Sequence, residues 1–380
     1  MISRLAGDST WSRYSLAWSS IQAVVIVALE AVILRLHLVE TANIKLAFGP
    51  AEYALKQVTQ LSNLPGPKQE EIEQTTSVLS VYHILFIIAQ IFQLILLCDA
   101  MFNKNTIQIM AIVAFNAAMV AYAGVQVKQG YDVLVRTEGA FTLPNTILDI
   151  FERPGNPTPY HASKNYEFAV LALMVIFASG FAVIAYKLYK EFGWSIYKKI
   201  GADLAMRDMY KVYQIFIMIL KFDIFFQLGF SAQFLSLVVL KYTGSTSNSL
   251  DRNEMKNILI LHLILSVGAC IILPVLAWRG LKRESKICMA AFIAGGIGTL
   301  VYNIIKLNQV FENPTRFIGA NKFLTFFLIS NLLLGVITLY LAWLCMKNFN
   351  NGLNAHIGKV SGTNIYPMES VSSNKRWSIE

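Results

Sequence analysis

The sequence predicts an all-α protein, a polytopic transmembrane bundle of about eight spans with N- and C-termini in the cytosol. Three observations lead there. Of 380 residues, 55% are hydrophobic and only 14% charged, whereas a water-exposed surface needs about 25% charged residues. The apolar residues are gathered into runs of the ~20 residues that cross a bilayer as a helix. Lys and Arg collect in alternate connections between those runs, which is how orientation is encoded.

Eight segments have the required length and composition: 16–36, 78–98, 107–127, 167–189, 210–240, 258–278, 287–305 and 323–346. A seven-span reading, with one segment misassigned, is the alternative. The first segment lacks a small-residue cleavage site behind it and reads as a retained signal-anchor. The last precedes a polar tail, 347–380, rich in Asn and Ser and expected to be disordered. With eight spans, one side holds 17 Lys/Arg against 8 Asp/Glu and the other 14 against 13. Nearly all of the net charge of +9 therefore lies on one face, assigned to the cytosol. Trp11, Trp18, Trp194, Trp278, Trp343 and Trp377 would share that side, where indoles favour the headgroup zone.

The connections 37–77 and 127–166, on the opposite side, read as turns and surface helices; the first carries Pro65-Gly66-Pro67 and the second Arg153-Pro154-Gly155-Asn156-Pro157. Neither holds an N-glycosylation acceptor, because Pro157 blocks the site at Asn156, as Pro314 does at Asn313. No cysteine lies in these connections, so no disulfide framework is expected. Cys98, Cys288 and Cys345 fall at cytosolic helix ends, where palmitoylation competes with simple burial as their role.

Composition excludes a nucleic-acid binder: the basic residues are dispersed between apolar runs and form no basic face interleaved with aromatics. No GxSxG, HExxH, phosphate-binding glycine loop or dinucleotide fingerprint occurs. His83 and His262 are intramembrane on different helices, and His37, His161 and His356 are isolated in sequence. No catalytic residue, metal or cofactor is predicted. Gly295, Gly296 and Gly298 lie within the seventh span and read as close helix packing rather than a phosphate cradle.

Polar residues within the spans are what remains. The stretch 209–241 is apolar yet carries Lys221 and Asp223, and charges inside a spanning helix are rare. Two residues apart, they point about 200° from one another on a helical wheel. Asp223, Gln227 and Ser231 share one stripe, Gln214 and Lys221 another, so the helix needs polar partners on at least two neighbours. Glu30 in the first span, His83, Gln90 and Gln93 along one face of the second, and Asn116, His262, Asn303 and Asn331 add further intramembrane polar groups. Three readings stand open. Glu30, Lys221, Asp223 and Gln227 form a polar site for a proton or cation; or Lys221 snorkels at the cytosolic interface; or the charges are a structural pair fixing helix register. The connection 187–211 interleaves Lys187, Lys190, Lys198, Lys199, Arg207 and Lys211 with apolar residues. It fits either an anionic-lipid headgroup contact or an ordinary positive-inside loop.

The stretch Phe192-Gly-Trp-Ser-Ile-Tyr-Lys-Lys-Ile-Gly-Ala-Asp203, followed by 213–234 (YQIFIMILKFDIFFQLGFSAQF), resembles an uncharacterised family of fungal multi-pass Golgi apparatus membrane proteins. The upstream stretch 81–108 (VYHILFIIAQIFQLILLCDAMFNKNTIQ) fits the same family. The resemblance is strongest over spans two to five. It implies residence in the Golgi apparatus membrane and a fungal origin, and it transfers no catalytic or ligand-binding residue. Two function classes follow: a small-solute or ion transporter using intramembrane polar groups, or a non-transporting membrane organiser or trafficking factor acting through its basic cytosolic loop. The expected partner is the lipid bilayer, with anionic lipid at the cytosolic face; protein partners are not indicated.

Overall fold

A backbone inside lipid must satisfy every N–H and C=O within its own segment, which confines spanning elements to helices or closed barrels. The computed structural model describes residues 9–58, 69–140, 159–200, 204–244, 249–312 and 321–351, and all of its regular elements are helical. In chain order these are α1 (Thr10–Val58), α2 (Gln69–Asn103), α3 (Thr106–Ala140), α4 (Pro159–Ile200), α5 (Leu204–Gly244), a composite α6, α7 (Lys286–Glu312) and α8 (Asn321–Lys347). The composite α6 comprises Ser249–His262, a π-helical turn Leu263–Val267, and Gly268–Lys282. Eight of these helices are long and apolar enough to cross a membrane.

The helices exceed the apolar runs. Helix formers such as Ala, Leu, Lys and Glu continue past the first run, and α1 extends to Val58. The described parts of 37–77 and 127–166 therefore belong to the ends of α1, α2, α3 and α4 and not to separate surface helices. The basic connection 187–211 is likewise mostly the end of α4 and the start of α5. Residues 65–67, 153–157 and the tail beyond 351 lie outside the described residues.

Packing divides the chain into two rings of four. In the first, α1 packs on α2 and α4, and α3 packs on the same two; in the second, α5 packs on α6 and α8, and α7 packs on the same two. α5 then packs on α2 and α3, joining the rings. The seam is aromatic: Phe92 of α2 stacks on Phe225 of α5 with centroids 4.5 Å apart, and Phe115 and Phe222 close edge-on around them.

The rings share one turn design. Between α2 and α3, Lys104 takes a left-handed conformation (φ 49°), and the Asn105 N–H bonds back to the Ala100 carbonyl at 2.9 Å. Asn105 Oδ1 then accepts the Ile107 and Gln108 N–H groups as an N-cap. Between α6 and α7, Glu284 (φ 47°) and Ser285 repeat this arrangement, the Ser285 N–H reaching the Gly280 carbonyl at 2.9 Å. Both are Schellman-type closures that satisfy helix-end carbonyls without a long loop.

Exposure is inverted relative to a water-soluble domain. Val24 (70%), Ile287 (82%) and Leu333 (63%) lie open, while Gln22, Asn116 and Ser266 are fully buried. Van der Waals fit and interhelical hydrogen bonds hold helices together in lipid, where apolar burial offers no gain. The glycine-rich segment of α7 serves that fit. A Cβ on Gly295 would stand 2.5 Å from Leu273 Cδ2 of α6, and one on Gly296 2.6 Å from Leu339 Cδ2 of α8. Gly298 faces open space.

Candidate functional site

Among the described residues, three of the interhelical polar groups lie one between the rings and one inside each. Between the rings, Lys221 of α5 donates to Asp99 Oδ2 of α2 and, at 3.2 Å, to Gln108 Oε1 of α3. Gln108 Nε2 in turn donates to Asp99 Oδ2 at 2.9 Å and to the Leu96 carbonyl at 2.7 Å. Lys221 and Asp99 side chains are 29% and 36% exposed, at the end of the bundle carrying the α2–α3 turn.

Inside the second ring the other stripe of α5 faces three neighbours. Thr338 of α8 donates to Asp223 Oδ2. Gln227 Nε2 donates to Ser266 Oγ of the π-turn at 2.9 Å, and Gln227 Oε1 accepts from Asn303 Nδ2 of α7 at 3.2 Å. Ser231 and Ser266 share a hydroxyl–hydroxyl bond. A π-turn inserts one residue into the helical register, and here it brings Ser266 to the stripe. Pro274, lacking an N–H, removes one backbone hydrogen bond about two turns further on without ending the helix. Asp223, Gln227, Asn303, Asn331 and Thr338 line a cavity of about 80 Å³ between α5, α6, α7 and α8. That volume admits several waters. Among the described residues Asp223 forms no salt bridge.

Inside the first ring there are two polar layers. In the middle, Gln22 of α1 donates to Gln90 Oε1 of α2 at 3.1 Å and to Asn116 Oδ1 of α3 at 2.9 Å, while Gln93 Nε2 donates to Gln22 Oε1 at 3.4 Å. Nearer the end opposite the α2–α3 turn, Glu30 Oε2 lies 2.7 Å from His83 Nδ1 of α2, and His37 Nε2 lies 3.2 Å from Glu167 Oε1 of α4. The His37 and His83 rings stack with centroids 5.0 Å apart.

The fold thus brings Asp223 and Gln227 together at one cavity. It places Glu30 in the other ring against His83, and Lys221 against Asp99. The grouping of His37, His83 and Glu167 is absent from the sequence reading, which treats His37 as isolated; His37 and Glu167 are 130 residues apart in the chain. The one available signal was the buried stripe of α2 on which His83 lies. Of the basic residues in 187–211, Lys187 and Lys190 are exposed, their Nζ atoms 5.8 Å from the Trp11 ring and 4.6 Å from the Tyr186 ring. Lys211 pairs with Asp208 at 3.3 Å and Arg207 is partly buried. The side chains of Lys198 and Lys199 lie outside the described residues.

Fold and polar interior define a multi-pass α-helical membrane protein with titratable groups held inside the bundle. The chain is 27% identical over 285 residues to a UPF0658 Golgi apparatus membrane protein of Schizosaccharomyces pombe, covering 72% of this chain and 76% of that relative. The similarity fits the uncharacterised fungal Golgi membrane protein family that the sequence resembles and agrees with a Golgi apparatus membrane location. No protein-family model and no solved structure matches the chain.

Proposed function

We propose that this multi-pass Golgi membrane protein is a carrier for a small cation or small polar solute, bound in the cavity between α5 and α8 with Asp223 as its fixed charge. The observation behind this reading is a carboxylate inside a spanning helix that lines a cavity and has no cationic side chain opposite it among the described residues. A charge at the bilayer centre costs at least ~2.5 kcal/mol on insertion scales, and such residues line ion and substrate pathways. The amides of Gln227, Asn303 and Asn331 and the hydroxyl of Thr338 supply neutral ligands beside it. The π-turn and Pro274 make the hydrogen bonding of α6 irregular next to the cavity, and irregular helix at membrane depth is tolerated where it lines one. The corresponding helix of the first ring, α2, is uninterrupted, so the arrangement is not the paired broken helices of inverted-repeat carriers.

The test compares Asp223→Asn with the double variant Lys198→Glu/Lys199→Glu in a fungal null strain, scoring Golgi localisation and growth. The carrier reading expects Asp223→Asn to reach the Golgi and fail to complement, while the loop variant complements. Normal growth with Asp223→Asn and failure or mislocalisation of the loop variant would instead establish an organiser acting through the basic cytosolic face.

A further inference from the structure

We infer that the first ring holds a divalent transition-metal site of the zinc class, ligated by one imidazole nitrogen each of His37 and His83 and by the Glu167 carboxylate. The three residues come from α1, α2 and α4, and their donor atoms lie within 4.8 Å of one another. All are buried: His37 is 3%, His83 1% and Glu167 4% exposed. Bonds to an ion of this class are about 2.0–2.2 Å, so binding draws the three donors together from the spread they have here.

Two details separate this cluster from a pair of buried salt bridges. His83 Nδ1 is occupied by Glu30, so its Nε2 points away from that contact, and this Nε2 makes no hydrogen bond among the described residues. A carboxylate that holds one imidazole nitrogen and presents the other bare is the arrangement that orients metal-ligating histidines. Glu30 is thus a positioning residue and not a ligand. Glu167 has one oxygen facing His37, while its Oε2 makes no hydrogen bond. Each unpaired buried polar atom is costly, and a cation shared by His83 and Glu167 would give both atoms a partner.

The donor set decides the class of ion. Two imidazole nitrogens and one carboxylate oxygen suit Zn(II) and its first-row neighbours, whereas Mg(II) and Ca(II) favour all-oxygen sites and Cu(I) favours thiolates. Three protein ligands leave a fourth position open, as in zinc sites that exchange water or substrate. Gly130 of α3 makes room for the carboxylate: a Cβ there would stand 3.0 Å from Glu167 Oε2. This site is independent of the cavity between α5 and α8.

The test uses full-length protein in detergent, stripped with chelator and titrated with Co(II) as a spectroscopic stand-in for Zn(II). One equivalent should produce visible ligand-field bands, and Zn(II) should displace it and raise the thermal midpoint of the wild type. His83→Ala and Glu167→Gln should abolish the bands, and Glu30→Gln should weaken binding about 10–100-fold with the band shape kept. Absence of bands and of any Zn(II)-dependent midpoint in the wild type would overturn the site, as would bands that survive His37→Ala/His83→Ala. The wild-type midpoint needs no variant, so a misfolded substitution leaves the conclusion decidable. Failure of the carrier reading would show in growth of Asp223→Asn, and failure of the metal site in this titration.

Discussion

Gln22 shows most clearly how single residues hold this protein together. Its amide is fully buried and bonds Gln90, Gln93 and Asn116, so one side chain of α1 fixes the rotation of α2 and α3 about their axes. Interhelical hydrogen bonds in membranes average ~0.6 kcal/mol each, so losing all three costs about 2 kcal/mol. Gln22→Leu keeps the volume and removes the bonds, and the thermal midpoint in detergent should fall clearly below that of the wild type. An unchanged midpoint would mean that the amide layer adds nothing to stability. Asp223 and Lys221 are the contrasting case, because their sequence separation already required different neighbours. α6, α7 and α8 answer the Asp223 stripe, while α2 and α3 answer Lys221.

Among the elements, α5 is the joint. It packs within its own ring on α6 and α8 and across the seam on α2 and α3. Aromatic contacts line that seam, and the Lys221–Asp99 pair closes its half-exposed end. Exposed ion pairs contribute ~0.2–1 kcal/mol. A double-mutant cycle of Lys221→Met and Asp99→Asn should therefore give a coupling below about 1 kcal/mol, with both variants still folded. A much larger coupling would place the pair in a low-dielectric environment and count against an interfacial position. The α5 stripe was legible because a period of 3.6 maps sequence directly onto a helix face. The π-turn in α6 was not legible, since the run 258–278 is uniformly apolar and carries no mark of an added residue per turn.

For the whole molecule, the remaining question is which face meets the cytosol. The excess of basic residues argues for placing the termini, the α2–α3 and α6–α7 turns and the junction of α4 with α5 there. The His37–His83–Glu167 cluster would then lie in the lumenal half of the bundle. Two engineered acceptors test this. Pro65→Thr completes an Asn-Leu-Thr acceptor at Asn63, and Arg376→Thr completes an Asn-Lys-Thr acceptor at Asn374. The first should be glycosylated and the second should not. The reverse pattern would invert the topology and turn the cluster toward the cytosol.

By itself the sequence determined the membrane class, the helical architecture and eight spans, because lipid demands long apolar runs with internally bonded backbones and such runs are visible one at a time. It also set the two stripes of α5, which depend on the geometry of one helix alone. Only the tertiary structure decided that the spans close as two rings of four, that Asp223 meets a cavity while Lys221 meets Asp99, and that His37, His83 and Glu167 converge. Helix neighbours are chosen by side-chain fit and a few interhelical hydrogen bonds between residues far apart in the chain, and no periodicity along a single helix records that choice.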